Sequence, residues 1–202
     1  MRIFGIDPGS VRTGYGCVET DGRSVRLVTC GAIAATSGDA FPERLARIHR
    51  ELSSLLEGCR PDYVAVESLF HATNVRSALK LGHARGVAIL AAVEAGCQVV
   101  EYAPAEIKRA VVGYGRAEKH QVQEMIRILL GLVEPPSPHD AADALAVAIC
   151  HLHTMPPSGR GTLGTGLERG TPDPGPGLPT PGSRMRGSQP RSWRQYRPPA
   201  TG

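Results

Sequence analysis

"PHDAADALAVAICH", residues 138–151, reads as a helix meant for burial. Ala141, Ala142, Ala144, Leu145, Ala146, Val147, Ala148 and Ile149 leave it little polar surface. Yet Asp140 and Asp143 occupy its first turns. At i and i+3 they share one face and stand close enough to repel. A half-buried pair of carboxylates is costly unless something positive meets it.

The surroundings of this helix follow from punctuation and period. "RIFGID" (2–7) is a short buried strand stopped by Pro8 and Gly9. "GYGCVET" and "SVRLVTCGAI" follow as strands, joined through Asp21-Gly22, a strong hairpin signal. Residues 41–57 place Leu45, Ile48, Leu52, Leu55 and Leu56 at helical spacing. "DYVAVE" and "CQVVEY" are two further strands, separated by the long helix "NVRSALKLGHARGVAILAAVEAG". "PAEIKRAVVG", "EKHQVQEMIRILLG" and the helix at 138 close the series. A three-strand meander followed by alternating strands and helices predicts an α/β domain, with a mixed sheet and helices on both faces.

Two of the apolar strands end in a carboxylate, "FGID" at Asp7 and "DYVAVE" at Glu67. Parallel neighbours bring such ends to one edge of the sheet, where open α/β sheets place ligands. With the acidic helix packed near that edge, Asp7, Glu67, Asp140 and Asp143 converge. None of the three stretches carries a fixed cation on this reading, so the expected counter-charge is metal. Oxygen-only ligands suit Mg²⁺ or Mn²⁺. Four carboxylates can hold two such ions roughly 3.5–4 Å apart, the spacing used for in-line phosphoryl displacement. Taken singly, each acid has a blander explanation as a cap or strand end; Asp140 in particular suits the dipole of a helix N-terminus.

"FGIDPGSVRTGYG", "VAVESLFHATNVRSALKLGHARGVAILAA", "YAPAEIKRAVVGYGRAEKHQVQ" and "DAADALAVAICH" together resemble the four sequence blocks of the RuvC family, bacterial Holliday-junction resolvases. The likeness spans almost all of residues 1–153, in order and at family spacing. It implies a ribonuclease-H-like mixed five-stranded sheet with helices on both faces. It also implies a homodimeric, structure-selective endodeoxyribonuclease that resolves four-way DNA junctions in recombination and repair. The expected reaction is two-metal phosphodiester hydrolysis by water, leaving 5′-phosphate and 3′-hydroxyl ends. Mg²⁺, two per site with Mn²⁺ as a substitute, is the implied cofactor. A branch-migration helicase complex is the implied partner. The family's catalytic and metal-binding carboxylates fall on Asp7, Glu67, Asp140 and Asp143. Because some members carry a His in place of the third carboxylate, His139 stands beside this set as a neighbour.

The same resemblance assigns DNA contacts. Lys108 and Lys119 match family lysines that meet phosphate; without it, both read as solvated helix residues. Phe70 matches a side chain that inserts among bases, and base stacking is worth about 1–3 kcal/mol; the alternative is a residue folded onto the core. Arg76 and Lys80 belong to a basic stretch between residues 76 and 127. Gly82 and Gly86 thin one side of the long helix, either for packing inside the chain or for a dimer interface.

Composition bounds what remains. Residues 154–202 hold ten Gly, ten Pro and seven Arg in 49 positions without apolar periodicity, so a disordered Pro/Gly/Arg-rich tail is expected after a nuclease domain at 1–153. The tail carries the chain's net positive charge and suits loose phosphate binding. Five scattered cysteines without C-x-x-C favour reduced thiols and a cytoplasmic protein. The opening "MRIFGID" reads directly as a strand, without a signal peptide, and "GVAILAAV" is too short to span a membrane. "CHLH" (150–153) places His151 and His153 off a common helix face, which argues against zinc. Three rivals stand against the nuclease. "GIDPGSVRTG" also resembles the phosphate loop of actin-like ATPases and sugar kinases, which need a second such subdomain. A ribosomal-RNA-processing nuclease would lack "SALKLGHARG" and "EKHQVQ". A junction-binding protein without catalysis would not need four carboxylates.

Overall fold

The structure is a computed structural model that describes residues 1–36, 38–68 and 74–155. Phe70 and the tail from residue 156 onward lie outside the described residues. The elements run β1 (Arg2–Asp7), β2 (Arg12–Thr20), β3 (Val25–Ala34), α1 (Phe41–Cys59), β4 (Tyr63–Glu67), α2 (Val75–Glu94), β5 (Gln98–Tyr102), α3 (Pro104–Val112), α4 (Lys119–Leu129) and α5 (His139–Thr154). Order and type are those expected from the sequence. The sheet order is β3-β2-β1-β4-β5, antiparallel through β1–β2–β3 and parallel through β1–β4–β5.

Alternation along the strands assigns the two faces. Phe4, Ile6, Val64 and Val66 pack with α1 and α2 residues such as Leu52, Leu56, Ala88 and Ala91. Ile3, Ala65 and Val18 point the other way, into a core with Ile107, Val122, Ile126 and the apolar body of α5. By the same period of two, Asp7 and Glu67 lie on the α5 side. α5 is buried from Ala141 to His151. It can lie that close because Gly5 and Gly14 line its seat. A Cβ at Gly5 would run into the Ala144 carbonyl, and one at Gly14 into the Asp140 carbonyl. Gly14 pairs directly with Asp7 across β1–β2. The sheet thus thins at the position where the helix must bring its first turn down onto the β1 carboxylate.

Helix α5 continues to Thr154, whose hydroxyl meets the Tyr102 hydroxyl at 2.9 Å. No described helix is long and apolar enough to cross a membrane.

Candidate active site

The parallel register of β1 and β4 pairs Ile6 with Val66, so the next residues, Asp7 and Glu67, come side by side at the carboxyl ends of both strands. Their carboxyl groups stand close enough to shift each other's pKa. Burial, followed by the nearby Glu67, Asp143 and Asp140, pushes the Asp7 carboxyl up to about 8. Burial also raises Glu67, while Lys119 and Lys108 pull it back.

The carboxylates of α5 find their counter-charges in two places. Lys119, the first residue of α4, puts Nζ 2.5 Å from Asp143 Oδ2. Arg12, the first residue of β2, puts Nη1 3.5 Å from Asp140 Oδ2. Lys119 and Arg12 thus meet the carboxylates for which metal is the expected counter-charge, and Arg12 lies inside the first sequence block, five residues past Asp7. Burial works against the Lys119 ammonium, but Asp143, Asp7 and Asp140 outweigh it and raise its pKa. Lys119 is aimed by its own neighbourhood. Gln121 Oε1 accepts from the Glu118 backbone amide and, at 2.6 Å, from the Tyr114 hydroxyl, fixing the first turn of α4. Glu67, Lys108, Lys119 and Asp143 line one cavity of about 200 Å³ together with Pro104 and Ile107.

The donor set fits a hard divalent cation in type, since it is all oxygen. The mutual repulsion of these buried carboxyl groups marks a place where a cation is favoured. Among the described residues no three acidic, His or Cys side chains stand within joint reach of one ion while these pairings hold.

Other sequence candidates are placed less centrally. His139 is turned toward Gln123, with Nδ1 2.8 Å from Nε2. Lys80 holds its ammonium 5.7 Å from the centre of the Phe41 ring. Arg76 is exposed at the start of α2. His151 and His153 diverge, the first bonded to Tyr102 and the second to the Ala110 carbonyl, as the argument against zinc requires. Arg12, Tyr114 and the glycine seat of α5 went unread. Their partners lie far along the chain, and only the spacing of Gly5, Gly14 and Gly16 hinted at a close approach.

The family profile of crossover junction endodeoxyribonuclease RuvC matches residues 3–151. The chain belongs to the RuvC family of crossover junction endodeoxyribonucleases. A RuvC from Chloroflexus aggregans is 52% identical over 156 residues, covering 77% of this chain and 95% of that protein. Thermus thermophilus RuvC superposes with a TM-score of 0.70 at 38% identity, over 76% of this chain and 94% of that one. The same enzyme in complex with a Holliday junction substrate matches at 0.70 and 36%, with the same coverage. Family membership carries the ribonuclease-H-like fold and the class of activity expected from the four sequence blocks, endonuclease action at crossover junctions in recombination and repair. It sets aside the ATPase and ribosomal-RNA readings of "GIDPGSVRTG".

Proposed function

We propose that Asp7, Glu67, Asp140 and Asp143 form the catalytic and metal-binding centre with which this chain resolves four-way DNA junctions. The observation that carries this reading is the β1–β4 register, which sets Asp7 against Glu67 beneath the first turns of α5. The four carboxylates would hold Mg²⁺, two ions per site with Mn²⁺ as a substitute. Once bound, such ions supply Lewis acidity at the scissile phosphate and lower the pKa of the attacking water. Cleavage then leaves a 5′-phosphate and a 3′-hydroxyl.

The chain's own residues prepare the phosphate. Lys108 and Lys119 flank the cavity beside Glu67 and Asp143, where they neutralise an incoming phosphodiester. Arg76 and Lys80 extend the basic surface from α2, and Phe70 supplies the aromatic wedge. Burial of the Asp7–Glu67 pair excludes water from one side of the site and strengthens each electrostatic contact within it.

The assembly is a homodimer formed through α2, whose two-fold axis matches that of the junction. Val75, Leu79, Leu90 and Val93 are exposed on one stripe of α2, and nothing among the described residues comes within 4 Å of a Cβ at Gly82 or Gly86. That disfavours the packing of these glycines inside the chain. Five free thiols support a reducing, cytoplasmic setting. The nuclease domain is placed at 1–153, followed by the Arg-rich stretch 154–202, and family membership alone supports the helicase complex as partner.

The test is cleavage of a mobile four-way junction with Mg²⁺. Asp143→Asn is isosteric and keeps the fold; it should abolish cleavage while junction binding persists, because phosphate contacts do not require chemistry. Near wild-type cutting by this variant would refute the assignment.

A further inference from the structure

Of the two cations paired with carboxylates of α5, Lys119 is held closely and Arg12 is not. Arg12 touches Asp140 at 3.5 Å, the outer limit of a charged contact, and half of its side chain is exposed. A contact that long, in water, leaves the guanidinium uncommitted. Its base, in contrast, is rigid. Thr13 is fully buried, and its hydroxyl donates to the Gly9 carbonyl at 2.9 Å and accepts from the Gly9 amide at 3.4 Å. This closes the β1–β2 turn directly behind Asp7. The Val11 carbonyl accepts from Ala35 at 2.9 Å, tying the same turn to the end of β3. A fixed backbone thus presents a half-exposed, loosely paired arginine at the rim of the site, next to the carboxylate in the first turn of α5.

From this we infer that Arg12 is a positioning residue that exchanges partners. In the metal-free protein it sits against Asp140 and competes with a divalent cation for that carboxylate. When metal takes Asp140, the guanidinium passes to a backbone phosphate of the junction, the anion for which its planar fork is suited. The exchange rests on the proposed metal role of the acidic cluster. Metal binding and DNA gripping are then coupled through one side chain.

Two measurements on the full-length protein test the exchange without using cleavage. The first is the Mn²⁺ concentration that half-saturates binding in a calorimetric titration, with no DNA present. Removing a competing cation should lower it, by roughly threefold in Arg12→Gln. The second is the salt dependence of junction affinity, taken once with chelator and once with Ca²⁺. With Ca²⁺ the slope of log affinity against log salt should shrink by about 0.9 in Arg12→Gln, one phosphate contact fewer. With chelator the slopes of variant and wild type should coincide. Arg12→Lys retains the charge and should stay within about twofold of wild-type half-saturation.

An unchanged or raised half-saturation in Arg12→Gln overturns the inference. So does a slope change that is absent with Ca²⁺ or equal in size with chelator. A lowered melting temperature with both readouts unmoved would reduce Arg12 to a structural ion pair. An Arg12→Lys protein that behaves like Arg12→Gln overturns competition by charge. If the wild type takes up no Mn²⁺ in the titration, the metal reading beneath the inference has failed first, and Asp140→Asn would then titrate like wild type.

Discussion

Gly14 shows how one residue type on a strand decides where a carboxylate on a helix can stand. It pairs with Asp7, and the Asp140 carbonyl lies where its Cβ would be. That neighbour is helix backbone, so no rotamer change can relieve the clash. Gly14→Ala should therefore lift the first turn of α5 from the sheet. Overpacking costs about 1–3 kcal/mol, which predicts a fall in melting temperature of roughly 2–12 °C in a domain of this size. Cleavage should fall much further than stability, because Asp140 and Asp143 move away from Asp7 together. Thermal melts, with cleavage measured well below the transition, would separate the two effects. Wild-type cleavage in a normally melting variant would show that the close seat does not set the site.

At the scale of the element, α5 has one end in the site and the other in a buried aromatic cluster. His151, 5% exposed, bonds the Tyr102 hydroxyl through Nδ1 at 2.8 Å and packs on the Tyr63 ring at 4.6 Å. Its Nε2 has no hydrogen-bond partner among the described residues. Burial lowers the His151 pKa from its ordinary 6.5. The unfolded chain therefore binds a proton at a pH where the folded chain does not. Stability attached to the neutral ring is complete above the unfolded pKa of 6.5 and is lost as pH falls from there toward the lower folded pKa. Melting temperatures of the wild type should decline from about pH 7.5 to about pH 5.5 more steeply than those of His151→Phe. In that variant Tyr102 keeps Thr154 as its partner. Parallel pH profiles for the two proteins would remove His151 from this role.

For the whole molecule, the question is what covers α2. Val75, Leu79, Gly82, Gly86, Leu90 and Val93 recur at spacings of three and four, so they form one stripe. Ala84, Ala88, Ala91 and Ala92 fill the opposite side, against α1 and the sheet. Leu79 is 59% exposed, so Leu79→Glu should fold and melt like wild type. In a homodimer the new carboxylate would be buried without a partner, and the dimer should weaken by tenfold or more, about 1.4 kcal/mol. Sedimentation at micromolar concentration would report it. A variant with an unchanged dimer constant would move the interface elsewhere.

The identity and order of the ten elements could be read from the chain because their signals are local. Period two, period 3.6, Asp21-Gly22 and the Pro8-Gly9 stop each act within a few residues. The carboxylates Asp7 and Glu67 were legible for the same reason: each ends an apolar run that must be a strand, and parallel strands bring their ends together. The partners of Asp140 and Asp143 were not legible. Arg12 and Asp140 are 128 residues apart, and Lys119 and Asp143 are 24 apart on different helices. Such pairs depend on how closely α5 sits on β1 and β2 and on where α4 starts. Those quantities are set by packing across the sheet, and no local pattern encodes them. The sequence by itself determined which side chains carry the charge, while the tertiary structure alone decided which charges meet, because contact follows from register and from the space left by Gly5 and Gly14.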